Sequence, residues 1–340
     1  MTGETQSLAP PSPPPWIAAQ AKLLLAQRGH AWLLHGPSGL GQYGLAMELA
    51  RAWLCEQPGE EGACGRCGSC HAIDVRTHAD LCVLMPETTL LEMGWPLGEK
   101  AQTEIDDKKR KASKEIRVDA MREAVEFSQR TSARGRGKAV LVFPAEHMNT
   151  ITANALLKTL EEPPGDVKFV LASESAHQLL PTIRSRCLGH AMHWPDPQHS
   201  QRWLQSRGLD AGQSQLLLKA MGGRPDDALA FAASGRDPGA WASLPKAMAR
   251  GDVGFFKDWT IPQTVDALHK LCHDLMALSA GAEPRFFAPQ DLVGSTSMAT
   301  LGAWGKALSR TMRTMDHPFN AGLMLEALVG QAKSVLNSGH

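Results

Sequence analysis

Apolar positions in the first 190 residues fall in short blocks separated by polar, glycine-bearing turns. Residues 31–35 read Ala-Trp-Leu-Leu-His and stop at Gly36-Pro37, the length and ending of a buried strand. Leu81-Cys82-Val83-Leu84 is a second block, 138–143 a third and 168–172 a fourth. The third is apolar almost without interruption and rich in β-branched residues, as expected of a strand covered on both faces. Between the blocks, helical spacing of apolar residues covers 16–28, 44–55, 118–130 and 152–162, the last stopped by Pro163-Pro164. This alternation predicts a parallel sheet flanked by helices.

Beyond Cys187 the strand-like blocks largely end. Helical periods cover 198–206, 214–221 and 225–233; Arg236-Asp237-Pro238-Gly239 reads as a linker, and 240–337 is helical again. Two stretches stand outside the pattern. Residues 1–15 form a polar tail ending in a proline run. Residues 86–116 are charge-rich without periodicity and predict an exposed insertion. Its basic run, 108–111, is diluted by Asp106 and Asp107 and fits a solvated loop better than a nucleic-acid contact.

The 340 residues carry 35 Lys+Arg and 35 Asp+Glu, a formal net charge of zero. That argues against a protein whose main task is gripping nucleic acid, which needs a cationic surplus. No apolar run approaches a membrane span, and residues 1–15 have no signal-peptide pattern, so a cytoplasmic location is expected. Seven cysteines, an odd number, do not suit a disulfide framework in a reducing compartment.

The turn after the first strand runs from Gly36 through Gly39 and Gly41 to Gln42 and Tyr43. Its spacing and strand–turn–helix context match a phosphate-binding P-loop, but Gln42 stands where the phosphate-binding lysine belongs and Tyr43 where a small metal-holding hydroxyl belongs. Taken alone, the turn fits either an ordinary glycine turn or a P-loop fold that has lost hydrolysis. The third strand tips the balance. An active P-loop ATPase places an acidic residue at a later strand end, whereas here Phe143 is followed by Pro144-Ala145-Glu146.

Cys55, Cys64, Cys67 and Cys70 lie within sixteen residues, with Gly62, Gly65 and Gly68 interleaved. Four thiolates in a tight loop fit a closed, tetrahedral structural Zn²⁺ site. Cys67-Gly68-Ser69-Cys70-His71 also matches a haem-attachment pattern, which would need export, and four cysteines also hold iron–sulfur clusters. Further on, Arg184 and Arg186 flank Ser185 after a short helix. Ordinary surface ion pairs are the plain reading. In ring-forming P-loop ATPases, however, an arginine supplied in trans stabilises the transferring phosphoryl group.

Four elements together resemble the clamp-loader AAA+ subunits of bacterial DNA polymerase III. They are the Gly36–Tyr43 turn, the cysteine module, the string from Asn154 through Leu-Leu-Lys158-Thr-Leu-Glu161-Glu162 to Pro163-Pro164, and Ser185-Arg186-Cys187. The resemblance is clear over about 16–190 and weaker through 222–228. It implies a degenerate AAA+ α/β domain over 16–193 with an inserted zinc module at 55–70, a helical lid over 194–238 and an all-α collar over 239–340. It also implies a subunit that hydrolyses no ATP itself. Arg186, flanked by Ser185 and Cys187, is instead offered to the ATP of a neighbouring motor subunit. The implied partners are gamma/tau and delta subunits, with the sliding clamp and primer-template DNA reached through the assembled complex. The lid arginine of active members falls here near Asp226, and 86–116 exceeds the family pattern. Two other readings are a working ATPase with an atypical loop and a zinc-dependent DNA-binding module.

Overall fold

A computed structural model describes residues 13–294, 296–314 and 320–338. Two compact units divide the chain between Asp196 and Pro197.

The first unit is built on five parallel strands: β1 (Ala31–His35), β2 (Leu81–Leu84), β3 (Lys138–Val142), β4 (Val167–Ser173) and β5 (Leu188–Ala191). Their spatial order is β2-β3-β4-β1-β5. All pairings are parallel, with Val140 opposite Phe169 and Leu33 opposite Leu171. Among the described residues this unit also carries the α-helices α1 (Pro15–Leu25), α2 (Gln42–Leu54), α3 (Gly68–Asp74), α4 (Glu87–Glu92), α5 (Glu99–Asp106), α6 (Val118–Gln129), α7 (Thr150–Glu161) and α8 (Pro181–Arg184).

Side chains alternate across a strand, and β3 is buried throughout. Val140 and Val142 join Phe169, Leu171, Met121 and Leu156 in one apolar cluster. Ala139 faces Ala50, Leu54 and Ile73 in another. α2 therefore packs on one face of the sheet, while α6 and α7 contribute to the other.

Three expectations change. The tail expected over 1–15 falls on residues 1–12 outside the described part; Pro15 itself opens α1, where its missing N–H costs nothing. A fifth strand follows Cys187. Its sequence, Leu-Gly-His-Ala, has no apolar block because three of its four residues are exposed and only His190 is buried. Finally, 86–116 is a folded excursion carrying α4 and α5. Glu87 is buried and receives both Nη groups of Arg110 at 2.5 and 2.7 Å, plus the Ser113 amide at 2.8 Å. Arg110 Nε also donates to Glu104 at 2.7 Å, and Arg110 foremost holds the Glu87 carboxyl below its ordinary pKa. Buried Trp95 and Ile116 anchor the excursion. Most of the insertion is exposed or half-buried; ion pairs and isolated apolar anchors leave no periodic signature, which is why no helix is predicted in it.

The second unit is helical: α9 (Pro197–Ser206), α10 (Ala211–Ala220), α11 (Pro225–Ala233), α12 (Ala240–Arg250), α13 (Ile261–Ser279), α14 (Met298–Thr314) and α15 (Ala321–Leu336). Buried residues from Leu204 to Leu336 form one cluster, with Trp241 stacked on Phe287 at 4.9 Å. Among the described residues, no helix is long and apolar enough to cross a membrane.

Candidate functional site

The turn after β1 begins with Gly36, whose amide reaches the Ser173 carbonyl at the end of β4. It ends at Gly41, the residue capping α2, with φ +90°, a conformation that favours glycine. α2 starts at Gln42, so Gln42 and Tyr43 both lie in its first turn. Gln42 is 2% exposed. Its amide nitrogen donates to the carbonyls of Gly36 at 2.8 Å and Pro37 at 2.7 Å. The side chain thus folds back onto the start of its own turn, and both its N–H groups are used there.

Tyr43 turns to an aromatic group. Its ring lies 5.5 Å from that of Phe143, just past β3. Its hydroxyl accepts from Trp95 Nε1 at 2.8 Å. The Arg76 guanidinium sits 5.5 Å from the Trp95 ring centroid and donates to the Gly94 carbonyl. Burial, above all, raises the Tyr43 phenol above its ordinary pKa. Glu146 accepts from the Glu174 amide at 3.0 Å, tying the end of β3 to that of β4. Trp95 was missed in the sequence because it lies in the charged excursion; a lone tryptophan between Gly94 and Pro96 was its only signal.

The four cysteines of the 55–70 stretch converge, their sulfur atoms all within 4.8 Å of one another and none in a disulfide. Cys55 Sγ is 3.8 Å from Cys67 Sγ and 3.8 Å from Cys70 Sγ. A tetrahedron of thiolates with metal–sulfur bonds of about 2.3 Å has edges of about 3.8 Å. The cluster is therefore compatible with a structural zinc ion. Backbone amides support it: Cys64 N–H donates to Cys55 Sγ at 3.3 Å and Cys70 N–H to Cys67 Sγ at 3.4 Å. Gly65, at φ +70°, makes the bend between Cys64 and Cys67. Burial opposes ionisation of Cys67, but the amides of Cys70 and Glu56 and the neighbouring thiols outweigh it and bring its pKa to about 6. Burial and then Cys67 push Cys70 up to about 12. Burial likewise raises Cys55, whereas the Arg66 amide foremost lowers Cys64; a metal ion is what lets all four ionise together.

A directed hydrogen-bond chain, not foreseen from the sequence, links this cluster to the sheet. His78 is held below its ordinary pKa chiefly by burial and is neutral at pH 7. Its Nδ1 accepts from the Asp80 amide at 3.0 Å, so Nε2 carries the proton and donates to Ser69 Oγ at 3.1 Å. Ser69 donates to Glu56 through both its amide and its hydroxyl. Arg134 completes the ring by donating to Glu56 at 2.8 Å.

Arg186 lies between α8 and β5. Its Nε and Nη2 donate to Glu161 Oε1, Nε at 2.7 Å, and its Nη1 donates to the Thr182 carbonyl at 2.8 Å. None of these contacts involves the Gly36–Tyr43 turn. Ser185 donates to the Thr182 carbonyl at 3.2 Å. Cys187 packs against the sheet core, where burial pushes its thiol up to about 12. In the second unit, burial and then Asp227 push the carboxyl of Asp226 up to about 6.

A family model described as DNA polymerase III, delta subunit, matches residues 18–193, just over half of the chain. The chain is 41% identical over 202 residues to DNA polymerase III subunit delta' of Pseudomonas aeruginosa, covering 59% of this chain and 55% of that protein. Identity to the delta' subunit of Escherichia coli is 35% over 224 residues, covering 64% and 60%. With DNA polymerase III subunit tau of Salmonella typhimurium it is 31% over 215 residues, covering 62% of this chain and 29% of that protein. The chain thus spans between half and two thirds of the length of these delta' relatives. On this evidence the chain belongs to the DNA polymerase III delta-subunit family, among relatives that carry the name delta'.

Proposed function

We propose that this chain is a clamp-loader subunit of bacterial DNA polymerase III that hydrolyses no ATP itself and completes the ATP site of a neighbouring subunit. The observation that carries the first half is Gln42. A phosphate loop works by turning backbone N–H groups and a lysine toward the anion; here a neutral amide is bonded back onto the loop. The metal-holding hydroxyl is replaced by Tyr43, which is engaged with Trp95 and Phe143. Glu146, nearest to the acidic position at the end of β3, is bonded to the Glu174 amide. A degenerate P-loop is the reading these three contacts support.

The second half rests on Arg186 in its Ser185-Arg186-Cys187 setting. A guanidinium is permanently charged and planar, and it binds phosphoryl oxygens through a fork of N–H donors. Supplied from an adjoining subunit, it stabilises charge that develops on the transferring phosphoryl group. The neighbours are gamma/tau-type and delta subunits. The sliding clamp and primed DNA are engaged by the assembled ring, as suits a chain with no net charge. The first unit is the AAA+ domain. Residues 194–238 serve as lid and 239–340 as collar, and the buried residues of both, from Leu204 to Leu336, share one hydrophobic core. Zinc, bound by Cys55, Cys64, Cys67 and Cys70, supplies cross-linking of the end of α2 to α3 and takes no part in hydrolysis, since four thiolates leave no open position.

Nucleotide titration of the purified chain tests the reading. No ATP binding in the micromolar range and no turnover are expected, together with stable co-elution with gamma/tau and delta subunits. Micromolar binding with turnover would make the chain a working ATPase instead. A steep salt dependence of DNA binding by the isolated chain would favour a DNA-binding module.

A further inference from the structure

Arg186 is held on two sides. A guanidinium has five N–H donors in one plane. Nε and Nη2 offer their shared edge to a single oxygen of Glu161, and Nη1 gives one N–H to the Thr182 carbonyl. One N–H on each terminal nitrogen is left over by these contacts. The side chain keeps 29% of its surface exposed. The plane of the group is therefore set from within the chain, while donors remain for an outside acceptor.

Glu161, itself half-exposed, spends one carboxylate oxygen on Arg186. It is the last residue of α7, before Glu162 and the helix-stopping Pro163-Pro164. A carboxylate at a helix C-terminus opposes the helix dipole. Glu162 beside it is exposed.

We infer that Glu161 is a positioning residue for Arg186: its carboxylate, carried at the proline-stopped end of α7, fixes the guanidinium plane so that the remaining N–H groups face a phosphoryl oxygen on the adjoining subunit. The inference rests on the trans-arginine reading given above. A pure latch, which would have to open before Arg186 could act, fits less well. A latch would tie up every donor, whereas Glu161 and Thr182 leave one N–H on each terminal nitrogen unused, and part of the hold comes from a neutral backbone carbonyl that carries no competing charge.

The test uses the full chain reconstituted with gamma/tau and delta subunits. Clamp-stimulated ATPase is resolved into kcat and KM for Arg186→Ala, Glu161→Ala, Glu161→Gln, Glu161→Asp and Glu162→Ala. The measured quantity is the Arg186-dependent part of kcat, the difference between wild type and Arg186→Ala. Glu161→Ala is expected to lower it about tenfold or more, because misplacing a reacting group by an ångström costs up to about a hundredfold, with KM for ATP unchanged. Glu161→Gln keeps the accepting oxygen at full reach and is expected to retain most of the rate. Glu161→Asp keeps the charge but draws it back by one methylene, and is expected to behave like Glu161→Ala. Glu162→Ala is expected to match wild type.

Wild-type or faster turnover by Glu161→Ala, with Arg186→Ala impaired, would overturn the inference and leave the trans-arginine reading standing. So would the reverse order, with Asp active and Gln inactive, which would signal a charge effect rather than placement. If Glu161→Ala fails to assemble, the Gln and Asp pair decides alone. No loss in Arg186→Ala would remove the trans-arginine reading and this inference with it.

Discussion

Asp80→Asn removes a single charge at the point where the cysteine module is wired to the sheet. Asp80 is fully buried. One carboxylate oxygen accepts from the Ala133 amide at 2.8 Å and Lys138 Nζ at 3.4 Å; the other accepts from Ser132 Oγ at 3.1 Å and the Arg134 amide at 3.0 Å. Asparagine keeps one acceptor oxygen and replaces the other with an amide nitrogen, a donor, turned toward the Ser132 and Arg134 donors. The Ser132 hydroxyl can rotate to accept, but the Arg134 amide cannot, and an orphaned buried amide costs about 1–3 kcal/mol. The other contacts lose charge assistance, and Lys138, itself buried, loses its counter-charge. Breaking a buried pair on one side costs about 3–5 kcal/mol, so a loss of about 4 kcal/mol is expected. Because the chain has two units, the assay is native-state hydrogen exchange of the β3 amides rather than one global melt. Burial disfavours the charged carboxyl, but these four donors outweigh it and hold Asp80 below its ordinary pKa. Its stabilisation is therefore present above the unfolded-state value of about 3.9 and lost as pH falls through the folded value. Wild type and variant are expected to converge there. A difference under about 1 kcal/mol at pH 7 would refute the reasoning.

Elemental analysis of the purified chain is expected to find one zinc per chain, and Cys64→Ser to lower that content; a folded chain without zinc would remove the metal assignment. Chelation is expected to raise hydrogen exchange over residues 55–74 while β3 and β4 stay protected. Trp95→Ala is expected to cost about 3–5 kcal/mol locally, the range for removing a buried aromatic side chain, because Trp95 is 8% exposed and bonded to Tyr43. Urea-dependent exchange of α4 reads this out, and the variant is expected to gain no ATP binding, since Gln42 still closes the turn.

Elements that bury an apolar face were legible in the sequence. β1 and β2 fall where their apolar blocks lie, and α6, α7 and α11 follow their helical periods, because burial imposes the pattern. β5 escaped because three of its four residues are exposed, so burial imposes no apolar block on it. The excursion over 86–116 escaped because Glu87, Arg110 and Glu104 hold it by ion pairing and Trp95 by one tertiary anchor. At the candidate site, the cysteine spacing forecast the convergence of the four sulfurs, since close spacing restricts where they can go. Gln42 and Tyr43 stood out as substitutions in a known pattern, but their new partners, the Gly36 and Pro37 carbonyls and Trp95, depend on geometry that sequence does not carry. The same holds for Glu161, twenty-five residues from Arg186.

The most direct measurement of the central claim is clamp-stimulated ATPase of a loader reconstituted with Arg186→Ala. An arginine finger contributes about 10³–10⁵ to the rate of the site it serves. The expected result is a fully assembled complex, with the chain unfolding as wild type does, whose turnover falls to that of the ATP sites independent of this subunit. Turnover equal to wild type in an intact complex would contradict the account.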